Sequence, residues 1–154
     1  MVRVQGLLGP EAVCTPVLGG GRDPSERARL VPWGEELTPA ADPGLPWPGH
    51  LPAPSPAVVF PDPVPATVFG EAGEPVHVTD RDMLTAAPAT VGVNGGAPRP
   101  VAAWAGPWIA NERWWNREPR CHARLQVLIG AQPAQAALLL GYHQGKWVVY
   151  GHYD

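Results

Sequence analysis

Charge is scarce in this sequence: only 16% of its 154 residues are Asp, Glu, Lys or Arg, and the formal net charge is −3. A field that weak does not steer a whole molecule onto nucleic acid or a membrane surface. Cysteine is scarcer still. Cys14 and Cys121 stand far apart without CxxC or Cys/His ligand spacing, which fits a reducing cytoplasm better than a disulfide scaffold. The only serines are Ser25, in a helix-capping sequence, and Ser55, between prolines. Neither has the strand-turn-helix setting of a hydrolase nucleophile. No apolar run approaches the roughly 18 residues of a membrane span, and the start, Met1 to Gly6, lacks a charged-then-apolar signal segment. A soluble cytoplasmic protein that does not enter a membrane is expected.

Converging reactive groups are also lacking. Cys121 and His122 are neighbours, but adjacent side chains of a strand point to opposite faces, the wrong geometry for a thiolate-imidazole pair. His50, His77, His122, His143 and His152 form no i, i+4 pair and no short strand-spaced pair for a zinc site. Asp80-Arg81-Asp82 follows a strand pattern, where aspartates serve turns rather than divalent ions. Gly19-Gly20-Gly21 lacks the Lys-Ser/Thr ending of a phosphate loop and does not match GxGxxG. The expectation is therefore a protein that is not an enzyme, with no catalytic residue, cofactor or metal.

What the chain has in quantity is proline and glycine, 21 and 18 residues, about a quarter of the whole. Ten of the prolines fall between Pro39 and Pro65, so disorder of pattern is concentrated there. Ahead of it, Val4, Leu7 and Leu8 share a helical face stopped by Gly9-Pro10, Ala12 to Leu18 reads as a strand, and Asp23-Pro24-Ser25-Glu26 predicts a brief helical turn. Pro32 ends that turn. Behind it, Thr67-Val68-Phe69 and Val76-His77-Val78 flank a turn, and Asn94-Gly95-Gly96 separates Val91 and Val93 from Val101. Leu125, Val127 and Ile129 alternate, and Ala136 to Tyr142 and Trp147 to Tyr150 follow around Gln144-Gly145. The fold class predicted is mainly β: a small bent sheet or barrel built from a β meander, preceded by a short helix-strand element and a Pro-rich connector. In domain terms, residues 1–34 form the helix-strand element, 35–65 the connector and 66–154 a Trp-rich β domain.

Tryptophan is the other surplus, with seven residues, four of them within one dozen positions. An indole buries roughly 150–250 Å², so the tryptophans are read first as the glue of the core, and Trp47 and Phe60 as pins of the connector. Residues 99–154 carry six basic and three acidic groups against five and eleven in residues 1–98, and Arg113, Arg117, Arg120 and Arg124 surround Trp114-Trp115. Those arginines read as a solvated face beside a buried tryptophan pair. Aromatics and arginine also dominate interface hot spots, which makes Trp104, Trp108, Arg113, Trp114, Trp115, Arg117 and Trp147 the candidate interaction residues.

Several strings resemble a known family. They are Arg3-Val4-Gln5-Gly6-Leu7-Leu8-Gly9, Gly20-Gly21-Arg22-Asp23-Pro24 leading to Leu30-Val31-Pro32-Trp33-Gly34, Pro46-Trp47-Pro48-Gly49 with Pro54-Ser55-Pro56-Ala57, Trp104-Ala105-Gly106-Pro107-Trp108, Glu112-Arg113-Trp114-Trp115, and a closing Gly145-Lys146-Trp147 to Tyr153-Asp154. In this order, over nearly the whole chain, they resemble the C-terminal region of actinobacterial ImuB, a catalytically inactive homologue of the Y-family lesion-bypass polymerases. The resemblance implies a non-catalytic protein-interaction segment of a translesion-synthesis adaptor in DNA damage-induced mutagenesis. Its partners would be an error-prone C-family DNA polymerase and a RecA-like ImuA-type protein. The chain would begin after the polymerase-like part, so polymerase activity is not carried over. The family's clamp motif, Gln-Leu-x-Leu followed by an aromatic, has no faithful match, since Arg29-Leu30-Val31-Pro32-Trp33 lacks the glutamine and second leucine. Direct sliding-clamp binding is not expected of this piece. Two alternatives stand beside this reading: a small β-barrel binding single-stranded DNA through Trp114, Trp115 and the neighbouring arginines, or a truncated fragment without independent function.

Overall fold

The computed structural model describes residues 2–22, 24–47, 50–112 and 120–154, and side chains outside 110–122. The chain divides into two compact units, Met1–His50 and Leu51–Asp154. The first opens with helix α1 (Val2–Leu8), of which no residue is buried. Strands β1 (Cys14–Leu18) and β2 (Ala28–Pro32) then form an antiparallel pair, Cys14 facing Pro32 and Leu18 facing Ala28. The helix, β1 and the 3-10 turn Pro24–Glu26 lie where the sequence predicts them. Strand β2 does not follow from the sequence pattern. Pro32 closes it at its last residue rather than ending a helical turn, a position where a missing N–H is tolerated.

The second unit is a closed antiparallel barrel of six strands: β3 (Val58–Phe69), β4 (Thr90–Val93), β5 (Arg99–Glu112), β6 (Arg120–Ile129), β7 (Ala136–His143) and β8 (Lys146–Tyr153). Each pairs with the next, and β3 closes the ring on β8 through Val58 with His152 and Val64 with Val149. Closure removes the two sheet edges that an open meander would expose. Two turns have their predicted chemistry. Asn94 and Gly95 have φ of 51° and 73°, and Gln144 and Gly145 of 49° and 79°, the pair of positive values that a two-residue hairpin turn demands.

Strand β3 corrects the expected connector. It begins at Val58, inside 35–65, and carries Pro61, Pro63 and Pro65. The reason it survives is directional. Asn94 donates its backbone N–H to the Pro65 carbonyl at 2.8 Å, so Pro65 turns its missing donor toward β4. Alternation sends Pro63 to the same side, where β4, which pairs only with Ala66 to Phe69, has ended. Pro61 falls in the register irregularity between Val59 and Val64. No ladder bond is lost at Pro63, and the Pro65 carbonyl keeps its bond from Asn94, so the strand continues through both prolines.

Segment 76–78 is a second difference. It is not a strand of the barrel but is held by single bridges, Phe69 with Pro75 and Val78 with Leu84, and by the Val76 N–H donating to the Val68 carbonyl at 2.9 Å. Trp147 fastens it further, its Nε1–H donating to the Val76 carbonyl at 2.7 Å.

The barrel interior is largely aliphatic. Val68, Val91, Leu125, Val127, Ile129, Leu140 and Val149 are buried there with Tyr142 and Trp147. Along β6 the buried Leu125, Val127 and Ile129 alternate with partly exposed Gln126 and Leu128, the period-two pattern of a strand with one face inward. Tryptophan as the general glue is thereby corrected. Trp147 is 5% exposed and packs on Tyr142 with ring centroids 4.8 Å apart, but Trp104 is 42% exposed and Trp108 is half-buried. No helix among the described residues is long and apolar enough to cross a membrane.

Candidate functional site

The candidate residues separate into three groups. Trp147 is spent on the core. Its ring contributes roughly 4–6 kcal/mol of gross transfer free energy at ~25 cal/mol per Å², and its one donor is used on Val76. Arg113, Trp114, Trp115 and Arg117 lie outside the described residues. Trp104 and Trp108 are on β5, and they differ. Trp108 stands opposite Arg124 of β6, while Trp104 stands opposite Val127.

Arg124 corrects the expectation of a solvated arginine face, because it is only 2% exposed. Its cross-strand partners are Trp108 on one side and Gly141 on the other. The ring of Tyr150 lies over Gly141, filling the place a side chain would take there. Arg124 thus lies beside Trp108 of the flanking β5 and beside Gly141 of the flanking β7, over which Tyr150 reaches from β8.

Trp104 belongs to a depression of about 380 Å³ on the barrel unit. Its floor crosses four neighbouring strands, and the register gives one continuous row: Ala103 faces Leu128, Leu128 faces Ala137, and Ala137 faces Tyr153. Small and aliphatic side chains keep this floor shallow and apolar. Pro54 forms part of the wall. Polar character enters at Gln126, whose Nε2 donates to the Tyr153 hydroxyl at 2.7 Å. Burial holds the Tyr153 phenol above its ordinary titration range, with the hydrogen bond from Gln126 working the other way. The phenol therefore keeps its own proton at neutral pH, and since the oxygen accepts from Gln126, that proton can be donated outward.

A second depression, about 420 Å³, lies in the first unit and is lined by Gly19 to Gly21, Leu45, Trp47 and His50. Its indole is already engaged, with Trp47 Nε1–H donating to the Asp42 carbonyl at 3.1 Å. A Cβ on Gly20 would collide with that carbonyl and with the Trp47 ring, so Trp47 packs on the glycine turn as the expected pin. Phe60 packs against the barrel core.

Among the described residues no group of three or more His, Cys, Asp or Glu is placed to hold a metal ion. The histidines are dispersed. His77 Nδ1 lies 3.1 Å from the Tyr142 hydroxyl, His152 stacks obliquely on Phe60 at 6.0 Å, and His50 Nδ1 is 3.4 Å from the Gly21 carbonyl. The Cys14 thiol is free and donates to the Glu11 carbonyl at 3.2 Å.

The Gln126–Tyr153 pair and the row across the floor are absent from the sequence reading. Their residues lie on four different strands, and only the register of the closing meander brings them together. Comparison with known proteins gives no matching family model, no similar curated protein and no similar solved structure.

Proposed function

We propose that the chain is a non-catalytic protein-interaction module of a translesion-synthesis adaptor, acting in the cytoplasm in DNA damage-induced mutagenesis. The observation that carries the interaction reading is Trp104, a large indole 42% exposed on a shallow apolar depression that rigid strands position. An exposed aromatic on a fixed apolar floor is the usual form of an interface anchor. The assignment to a mutagenesis complex rests on the ordered strings that resemble ImuB, and the partners it proposes are an ImuA-type protein and an error-prone C-family polymerase. Direct docking on the sliding clamp is not part of the proposal.

The test is retention of each purified partner on the immobilised chain, repeated with Trp104→Ala. Retention that falls at least tenfold in the variant is the expected result; an anchor aromatic contributes about 2 kcal/mol or more, some 30-fold. Failure to retain either partner removes the assignment to this complex. The same material, titrated with single-stranded DNA at low salt, decides the alternative that relies on Arg113, Trp114, Trp115 and Arg117: tight binding that weakens steeply with salt would replace the present reading.

A further inference from the structure

We infer that Asn94 is a site of spontaneous covalent modification, where the Gly95 backbone nitrogen displaces ammonia from the Asn94 side chain and leaves aspartate or isoaspartate in the turn between β4 and β5.

The sequence supplies the reactive pair. Of the three asparagines only Asn94 precedes a glycine, whereas Asn111 precedes Glu112 and Asn116 precedes Arg117. Glycine has no Cβ to crowd the approach to its own nitrogen. The structure leaves both reactants available. Asn94 and Gly95 are exposed, and among the described residues no hydrogen bond engages the Asn94 side-chain amide or the Gly95 N–H. The amides on either side are used: Asn94 N–H donates to the Pro65 carbonyl at 2.8 Å, and Gly96 N–H to the Val93 carbonyl at 2.9 Å.

The reaction consumes only water. Base takes the Gly95 amide proton, the nitrogen bonds to Asn94 Cγ, and the bond from Cγ to the side-chain nitrogen breaks, releasing ammonia. Water then opens the five-membered imide at either carbonyl. One opening gives aspartate; the other gives isoaspartate, whose backbone runs through the former side chain and is one methylene longer.

The fold sets a gate on this step. Positive φ at Asn94 and Gly95 makes the turn the mirror of type I, with ψ at its first central residue of about +30°. That holds the Asn94 side chain away from the Gly95 nitrogen, so ring closure waits for the turn to open. The turn sits at the thinnest join of the barrel. Strand β4 meets β5 only at Thr90 with Pro100 and Val91 with Arg99, fewer positions than any other neighbouring pair of the ring. A join held by so few bonds opens locally. Gln144-Gly145 provides an internal control, with the same signs of φ and the same exposure. Its longer side chain would have to close a six-membered ring, a far slower reaction.

The experiment follows the full chain by digestion and mass spectrometry during incubation in mildly alkaline buffer, with a second sample kept unfolded in urea. Expected is conversion at Asn94 to aspartate and isoaspartate, faster at higher pH and ahead of any change at Gln144, Asn111 or Asn116. The folded sample should react roughly tenfold or more slowly than the urea sample, because only the opened fraction reacts. Asn94→Gln should abolish it, and Gln144 shows that glutamine is accepted in such a turn. Asn94→Asp carries the new charge without the longer backbone. Relative to that variant, hydrogen exchange at the residue 94 amide should quicken about fivefold in the isoaspartyl form, the worth of one net backbone hydrogen bond. No conversion of folded chain while the urea sample converts, or equal rates at Asn94 and Gln144, overturns the site. Equal rates with and without urea overturn the gate, and equal exchange in the isoaspartyl form and Asn94→Asp overturns the effect on the join.

Discussion

The two units of this chain solve the problem of burying apolar surface to very different degrees. In the first, Val2, Leu7, Leu8, Leu18, Leu30 and Leu45 are all more than half exposed, and its helix buries nothing. In the second, residues of the same types vanish into a closed interior, with Val91, Leu125 and Leu140 fully buried. Composition does not explain the contrast. A two-stranded sheet has no enclosed side and is marginal on its own, whereas six strands closed into a ring give every second residue an inside. The difference is one of topology, and it makes the second unit the place where substitutions should be felt.

The largest effect is expected at the seam that closes the ring. Gly151 of β8 faces Val59, and a Cβ added there would run into the backbone carbonyl oxygen of Val58. Backbone cannot rotate aside as a side chain can, so Gly151→Ala should force β3 and β8 apart. A loss of about 3 kcal/mol or more, at the upper end for overpacking, is expected in the denaturant midpoint of the barrel. An unchanged midpoint would mean that the seam is not closed as described. Next come the aliphatic core positions. Leu140→Ala should cost about 2–5 kcal/mol, while Leu7→Ala in the first unit should stay within about 0.5 kcal/mol. Equal losses at the two sites, in parallel urea titrations, would erase the contrast between the units.

How much of this was legible in the sequence follows the same line. Local chemistry was readable: Asn94-Gly95 and Gln144-Gly145 announce their hairpins because few other residues tolerate positive φ, and β6 shows its buried face by alternation. Features that depend on a distant neighbour were hidden. Pro63 looks like a strand breaker until its missing donor is seen to face the gap beyond β4, and Pro65 until its carbonyl is seen to keep a bond from Asn94. Arg124 looks solvated until Trp108 and Gly141 are placed on either side of it. The exposure of Trp104 and the burial of Trp147 are likewise set by register, which no single segment encodes. The Gln126–Tyr153 contact joins residues 27 positions apart and had no local signal.

A smaller effect sharpens the role of Trp147. Phe at this position would keep most of the ring packing on Tyr142 but remove the N–H that holds the Val76 carbonyl. Leaving a buried carbonyl without its donor costs about 1–3 kcal/mol. Because Val76 belongs to a segment fastened by isolated bridges rather than a full ladder, the loss should be local. Hydrogen exchange should quicken at Val76 and Thr85, whose amides donate to Val68 and His77, before it quickens in β6 or β7. Uniform acceleration would show that the segment is part of the barrel's cooperative unit.

The smallest effect is a pH dependence at Tyr153. Its phenol is shifted upward by burial in the folded chain, so above the unfolded value of about 10 the unfolded state releases a proton that the folded state still holds. Stability contributed by this group is therefore complete below about pH 10 and is lost as pH rises toward the folded value. Tyr153→Phe removes the titrating group, so the barrel's midpoint should fall less steeply above about pH 10 than in the parent chain. The donor to Tyr153 is Gln126, and Gln126→Ala should act in the opposite sense, since the hydrogen bond lowers the phenol's value. Removing it should leave the onset at the unfolded value of about 10 and extend the fall to higher pH, making the total loss larger. Identical profiles for the parent and Tyr153→Phe would mean that the phenol is as open to water in the folded chain as in the unfolded one, and the depression would lose its most sheltered donor.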